Sequence, residues 1–363
     1  MPGTNNSITI REVATKAAVS VGTVSKVLNG GNCKPEIHDR VESAIRELNY
    51  QPNPYAQAVR SMKINCIGII VEARCRENNL WMHDLLLALF EEVSQSKYFT
   101  HVMYVDSTAG KFDFNGMAKR VNGIILIGTF EAPFYEAYNR QFDVPTIYYW
   151  NECPARNGIL VKVEFSNAIR QLFEHFLALG HTRIAMISAN NPSDLDKADC
   201  WAAIADELLP NYDRGRIRIA ASGNDTSQLG YESTRELLER YPDTTAIFYA
   251  ADNLAIGGIS YLRQRKLRFP EDLSLAGFDN TVWAKNVIPA LTGIGFDFTE
   301  LACKLCLTLI GRIEGTDTGK APVVQMRLER CGSSARISER EQSITPKTRK
   351  RTDHETDKKI HVD

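Results

Sequence analysis

The strongest constraint on this chain lies in its apolar runs from Cys66 onward. Cys66-Ile-Gly-Ile-Ile-Val71, His101-Val-Met-Tyr-Val105, Gly123-Ile-Ile-Leu-Ile127, Thr146-Ile-Tyr-Tyr149, Arg183-Ile-Ala-Met-Ile187, Ala246-Ile-Phe-Tyr249 and Leu273-Ser-Leu-Ala276 are short and nearly continuous. They do not alternate apolar with polar. Strands of that kind suit a parallel sheet buried on both faces. Helical periodicity fills the intervals, at 83–95, 166–179, 198–209, 227–240, 252–265 and 299–314. Strand alternating with helix predicts an α/β body of the doubly wound type. Periodicity alone does not separate one sheet from two lobes.

The first sixty residues follow another pattern. Thr9-Ile-Arg-Glu12 has the form of a capping box, and Ile10, Val13, Ala14 and Ala17 recur at helical spacing behind it. Ala18-Val19 makes a turn, and Ser20 is placed to cap a second helix, Val21 to Leu28, which Asn29-Gly30-Gly31 ends. A third helix follows Pro35, with Ile37, Val41, Ile45 and Leu48 as its stripe. Three short helices, the first two tightly joined, describe a helix-turn-helix unit. A small bundle without a nucleic-acid role is the alternative. Against it, the outer face of helix two carries Val21, Thr23, Ser25 and Lys26. Hydroxyls and an ammonium reach phosphates and a guanine edge, and a valine meets a thymine methyl. The stretch 1–63 also holds a modest basic surplus, in the direction phosphate contact requires. Beyond it, Asn53 caps and Pro54 opens a short turn through Arg60. A helix so brief needs a partner to persist, as a hinge ordered by DNA and a second subunit would.

The motifs Ile10-Arg-Glu-Val-Ala14, Val19-Ser-Val-Gly-Thr-Val-Ser-Lys-Val-Leu-Asn29-Gly30 and Leu48-Asn-Tyr-Gln-Pro-Asn53 resemble the headpiece of the lactose-repressor (LacI/GalR) family. The resemblance implies a homodimer reading a pseudo-palindromic operator in double-stranded DNA. Recognition helices would enter the major groove, and paired hinge helices the central minor groove. Carried over residue by residue, the DNA-contacting set is Thr9, Ser20, Val21, Thr23, Ser25, Lys26, Asn29, Asn53, Tyr55, Ala56 and Val59. Two departures stand out. The family's base-reading places hold Val21, Gly22 and Lys26, and glycine has nothing to read with. The leucine wedge of the hinge falls at Val59, so a shallower kink is expected.

The resemblance continues through Val121-Asn-Gly-Ile-Ile-Leu-Ile127, Glu174-His-Phe-Leu-Ala-Leu-Gly-His-Thr-Arg-Ile184, Ala251-Asp-Asn-Leu-Ala-Ile-Gly257 and Phe269-Pro-Glu-Asp-Leu-Ser-Leu-Ala-Gly-Phe-Asp-Asn280. It implies a two-lobed body like a periplasmic binding protein, with a small-molecule effector, sugar or sugar-like, in the cleft. The ligand-anchoring positions fall at Asp279, present as in the family, and at Asn167, Cys200, Ala251 and Asp225, where the usual acid, arginine, asparagine and aromatic are replaced. Trp81 lies in a cleft-lining stretch and offers a stacking face; packing between the lobes is the alternative use. Losing an arginine fork removes bidentate, charge-assisted bonding, so the usual sugar constellation is not expected intact. A degenerate cleft binding a non-sugar ligand, a protein partner or nothing stays open. The 105–121 connection is short for the helix the family places there.

A chain of 363 residues, 44% hydrophobic and 24% charged, is ordinary globular material for a minor and a major domain. Domain boundaries are expected at 1–60 for headpiece and hinge, 61–337 for the body and 338–363 for a polar, disordered tail. The tail lacks the leucine heptads of a coiled-coil tetramer. No basic and apolar leader opens the sequence and no run reaches the roughly 18–20 apolar residues of a membrane span, so a cytoplasmic place is expected. The 8 cysteines are scattered, and Cys303-x-x-Cys306 sits in an amphipathic run without a second ligand pair. No metal or cofactor is expected. The absence of a nucleophile elbow, a phosphate-cradling loop or a metal cluster speaks against an enzyme. A solute-binding receptor on the same body would leave the headpiece unexplained.

Overall fold

The computed structural model describes residues 8–28, 31–50, 65–73, 80–149, 155–221, 223, 226–316 and 322–337. The hinge segment with Asn53, Tyr55, Ala56 and Val59, the helix-ending Asn29, the cleft position Asp225 and the tail from 338 lie outside them. The chain divides into two compact units, Met1–Asn65 and Cys66–Asp363.

In the first unit, α1 (Ile10–Lys16), α2 (Val21–Leu28) and α3 (Pro35–Glu47) enclose one small core. Val13, Ala14, Ala17, Val24, Val27, Val41 and Ala44 are buried in it. Ile37, Ile45 and Leu48 pack at its edge rather than inside. Ala18 turns the chain with φ 53°, a left-handed conformation that an alanine adopts at some cost. That turn lets Val19 N–H bond Ala14 C=O at 3.0 Å, closing α1 and aiming α2. Burying a valine contributes roughly 1.5–3 kcal/mol, so a core this small has little to spare.

The second unit holds two six-stranded sheets. The N-terminal lobe orders β11-β5-β4-β3-β1-β2, from β1 (Cys66–Glu72), β2 (Phe99–Val105), β3 (Gly123–Ile127), β4 (Thr146–Tyr149), β5 (Gly158–Glu164) and β11 (Val323–Gln325). The C-terminal lobe orders β12-β10-β9-β8-β6-β7, from β6 (Ile184–Ser188), β7 (Ile217–Ile219), β8 (Ala246–Tyr249), β9 (Ser274–Asp279), β10 (Thr292–Gly295) and β12 (Arg327–Glu329). Pairing is parallel except where β12 runs antiparallel to β10. The chain crosses between lobes after β5, after β10 and between β11 and β12.

Helices cover the sheets unequally. In the C-terminal lobe, α6 (Ser166–Ala178) packs with α7 (Pro192–Leu208), and α8 (Ser227–Arg240) with α9 (Asp252–Gln264). Right-handed crossovers put one pair on each face. The α8–α9 contact is so close that a Cβ on Gly257 would lie 1.8 Å from Ser227 O and 2.5 Å from Tyr231 N. Glycine is required there. In the N-terminal lobe, α4 (Leu80–Ser94) and α11 (Phe298–Glu314) share one face. The other face has α5 (Ala132–Gln141) and, between β2 and β3, only a 3₁₀ turn at Met117–Lys119. Aromatic rings fill the space a helix would occupy: Phe114 lies 4.9 Å from Phe142, and Phe130 4.2 Å from Phe134, centroid to centroid. Offset and edge contacts of this kind pack densely without regular backbone. A short helix, α10 (Val282–Asn286), follows β9.

Candidate nucleic-acid interface and ligand cleft

The α2 helix is placed by hydrogen bonds at its start. Ser20 Oγ accepts from Thr23 N–H at 3.1 Å and shares a hydrogen bond with Thr23 Oγ1 at 2.9 Å. Val24 and Val27 point into the core, which leaves Gly22 and Lys26 exposed on the opposite side, with Ser25 beside them. Val21 and Thr23 form the shoulders of that arc: both are half-buried, and Val21 packs against the core. The outward face is therefore narrower than the sequence pattern suggests. Thr9 is engaged with its own helix: its N–H and hydroxyl donate to Glu12 Oε2 at 2.6 and 2.9 Å, and its Oγ1 accepts Glu12 N–H at 3.4 Å. These bonds hold the Glu12 carboxyl below its ordinary range. Thr9 thus fixes the end of α1, whatever else it meets.

Gly31, expected from the sequence only as part of the stretch that ends the second helix, also lies under Lys26. Its N–H bonds Lys26 C=O at 2.8 Å, and a Cβ on it would lie 2.6 Å from Lys26 Cγ. The lysine stem lies along bare backbone while its ammonium stays exposed. Gly22 is different: a Cβ there would meet only Ser20 Oγ, at 3.6 Å. Nothing steric demands glycine at that site. Lys16 is tied to Glu47 at 3.0 Å, whereas Arg11, Lys26, Lys34 and Arg40 form no ion pair with another described residue. That leaves unneutralised positive charge for phosphate.

In the body, the candidate ligand residues fall into separate groups. Asp279 ends β9, half-buried, with φ 107°, and Asn280 follows with φ 55°. Two positive-φ residues in a row make a sharp corner, at the two residue types that, glycine apart, enter that region most readily. Asn167 is exposed in the first turn of α6, next to Ser166, whose hydroxyl is hydrogen-bonded to the Cys200 thiol. Burial pushes that thiol up from its ordinary value. Asn167 and Cys200 are thereby brought together, away from Trp81, which belongs to α4 and sets its ring edge-on to Tyr149 at 5.9 Å. Trp81 is half-buried and this contact is packing within its own lobe. Ala251, in place of an asparagine, is a buried N-cap without a side-chain hydrogen bond.

The arginine absent at Cys200 has a neighbour in Arg170, one turn along α6. Its guanidinium grips Glu207 in a two-pronged bond of 2.9 and 2.6 Å. No local pattern marks that pairing, which spans 37 positions. A second cation, Lys197, is buried. It donates to Asp194 Oδ1 at 2.8 Å and to Ala250 C=O at 2.9 Å, and lies 4.1 Å from the centroid of Phe278. Asp194 in turn accepts Ala189 N–H at 3.3 Å and the Asn191 amide at 3.2 Å. Both cations are thus already satisfied by carboxylates. Asp252 is fully buried and accepts Thr281 N–H and Oγ1 at 2.9 and 2.8 Å. Burial pushes its carboxyl up to about 7. Cys306 is buried within α11 and Cys303 half-buried beside Glu92, and among the described residues no group of three or more His, Cys, Asp or Glu side chains could hold a metal.

Residues 9–53 match the family model of bacterial regulatory proteins of the lacI family, and residues 173–334 that of a periplasmic binding protein-like domain. The chain is 28% identical over 293 residues to catabolite control protein A of Staphylococcus xylosus, covering 79% of this chain and 87% of that one. To catabolite control protein A of Priestia megaterium it is 26% identical over 329 residues, 88% of this chain and 96% of that one. Two solved structures share its fold. A lac repressor dimer bound to operator and the anti-inducer ONPF matches with TM-score 0.70 at 22% identity, over 90% of this chain and 99% of that one. A complex of the transcriptional regulator CelR with cellobiose matches with TM-score 0.63 at 23% identity, over 90% of this chain and all of that one, 100%.

Proposed function

The chain, a DNA-binding transcriptional regulator, belongs to the lacI family of bacterial regulatory proteins, and from that premise we propose that it represses as a homodimer on a two-fold symmetric operator. The observation that carries this reading is α2, whose buried Val24 and Val27 leave Gly22 and Lys26 exposed, with half-buried Ser25 beside them. In the proposed complex Lys26 reads a guanine edge, Ser25 and Thr23 meet phosphates, and Val21 reaches a thymine methyl from the shoulder of the helix. Ser20 and Thr9 hold the two helix starts that face the backbone, where oriented N–H groups favour phosphate. Residues 1–60, with Asn29 and the segment Asn53, Tyr55, Ala56 and Val59, act as headpiece and hinge. Residues 61–337 act as effector and dimerisation body, and the protein works in the cytoplasm.

The body's ligand is proposed to be a small polyol or sugar-like molecule whose hydroxyls donate to Asp279, with Asn167 and Cys200 on the same lobe and Trp81 across from them. The support is the surviving Asp279 and the cellobiose held by the CelR relative of the same fold. A second reading rests on Arg170 and Lys197. Both cations are occupied by Glu207 and Asp194, so neither offers a free charge to an anionic ligand. That favours a neutral molecule, or a protein partner, over a phosphorylated one.

Selection from a random duplex pool at fixed salt near 150 mM tests the core of this. Enrichment of a two-fold symmetric site is expected. Retention that depends on salt alone, with no enriched sequence, would overturn it.

A further inference from the structure

Among the described residues, a hydrogen bond joins the lobes away from the three crossing segments. Val282 N–H, at the first position of α10 in the C-terminal lobe, donates to Asp84 Oδ2 on α4 of the N-terminal lobe at 3.0 Å. The two residues are 198 positions apart. On the C-terminal side, the residues just before this bond are held by others. Asn280 gives its amide to Glu329 Oε2 at 2.8 Å. Thr281 gives its N–H and hydroxyl to the buried Asp252, and its Oγ1 receives Ala284 N–H at 3.4 Å. The Val282 N–H is the next donor in line, and its acceptor comes from the other lobe. On the N-terminal side, Trp81, one turn before Asp84, is set against Tyr149 and holds the start of α4. The Asp84 charge also adds to burial in pushing up the Asp252 carboxyl, so the two acids converge on one short stretch of backbone.

We propose that Asp84 is a latch that favours the lobe arrangement in which it holds the Val282 N–H, and that its engagement sets the affinity for operator. The proposal rests on the reading of the body as a ligand-responsive regulator of the headpiece. A hydrogen bond to an ionised group that is made in only one lobe arrangement biases the equilibrium toward that arrangement. Bonds of this class correspond to about tenfold or more in an equilibrium constant.

Two substitutions remove the bond from opposite sides. Asp84→Ala deletes the acceptor. Val282→Pro deletes the donor at the first helical position, where proline is tolerated. The preceding Thr281 has φ −65° and ψ 164°, the conformation a following proline requires, and the Val282 side chain is exposed. Asp84→Asn keeps an acceptor oxygen and serves as the rescue. Small-angle scattering of the full-length protein reads lobe opening without DNA, and titration of the selected operator at fixed salt reads affinity.

Asp84→Ala and Val282→Pro are expected to increase the radius of gyration alike and to shift operator Kd by the same factor of about tenfold. The double variant should match either single one, because the two share one interaction. Asp84→Asn should stay near the parent. Unchanged scattering in both variants, or an effect of Asp84→Ala that Val282→Pro does not reproduce, would overturn the latch. Opened lobes with unchanged operator affinity would overturn the coupling. A parent that selects no operator would contradict the regulatory reading, while the scattering would still decide the latch.

Discussion

In the headpiece, seven buried apolar side chains hold three helices, and the residues offered to DNA on α2 lie within a few positions of one another. In the body, the residues at the ligand positions come from α4, α6, α7 and the end of β9, and a large continuous core positions them. The first arrangement concentrates function in one local element on a small core. The second spreads it over elements that only tertiary packing brings near each other. The difference teaches where each region can change. Headpiece recognition can be retuned by one outward side chain, but the core beneath it has no reserve. In the body, Asn167, Cys200 and Ala251, three of the ligand positions, lie on helices or at a helix start and not within a strand, so exchange there is expected to leave the sheet intact.

The sharpest break in that comparison is a charge in the small core. Val24→Asp should abolish operator binding, lowering affinity more than about a hundredfold, because a buried unpaired carboxylate exceeds what the headpiece can absorb. Thermal unfolding of the body should be unchanged. A body that melts early in this variant would argue against independent cores.

The reciprocal break lies at the α8–α9 contact. Gly257→Ala forces a methyl into the Ser227 backbone, and a loss of about 3 kcal/mol or more is expected in denaturant unfolding of the body. The isolated headpiece segment, expressed on its own, would carry no such penalty.

Acid should distinguish the lobes next. His181 Nε2 donates to Ala335 C=O at 3.0 Å, leaving a buried Nδ1 without a partner, and burial lowers its pKa. Burial, with the Arg330 charge adding, lowers His175 as well. A histidine whose folded pKa is depressed contributes fully above its unfolded value of about 6.5, and the contribution is lost as pH falls below it. Asp252 works in the other sense: its raised carboxyl contributes fully below its unfolded value of about 3.9, and the contribution is lost as pH rises from there to about 7. Below about pH 6.5 the two effects on the C-terminal lobe therefore oppose each other, and above about pH 7 neither changes its stability further. His181→Gln should remove part of the rise in stability toward pH 6.5, and Asp252→Asn the fall between about pH 4 and 7, by up to about 1.4 kcal/mol per pH unit each. An unaltered pH dependence in these variants would remove both groups from the account.

The smallest effect concerns Gly22. Since a Cβ there meets only ordinary contact, Gly22→Ala should stabilise the headpiece by a few tenths up to about 1 kcal/mol, read by its melting temperature. A loss instead would mean that glycine is needed in the free protein.

Legibility followed the same division. The capping box at Thr9, the Ser20 cap and the span Val21–Leu28 were readable because each depends on neighbours within four residues. The seven apolar strands were readable from their runs. Six of them are largely buried, whereas β2 is a sheet edge that leaves Phe99 and Tyr104 exposed, against the expectation of burial on both faces. The strands β5, β7, β10, β11 and β12 were not: β5 alternates with polar residues at a less buried position, β10 is Thr292-Gly-Ile-Gly295, and the others are three residues long. Helix α5 escaped notice because its apolar face is aromatic and short. Two lobes rather than one sheet is a matter of strand order, which periodicity does not carry. Gly31 under Lys26, Arg170 against Glu207 and Asp84 against Val282 are pairings of chain geometry, without any pattern in the sequence.

The central claim is that sequence recognition resides in the outward face of α2, with Lys26 as its base-reading side chain. The most direct test repeats the duplex selection with Lys26→Ala beside the parent protein at the same salt. The account expects a symmetric site with unchanged half-site spacing in both, with preference lost at one symmetric pair of positions and about 1–3 kcal/mol weaker binding in the variant. An identical base preference in the two proteins, with affinity lowered uniformly across sequences, would contradict it and reduce Lys26 to a phosphate contact.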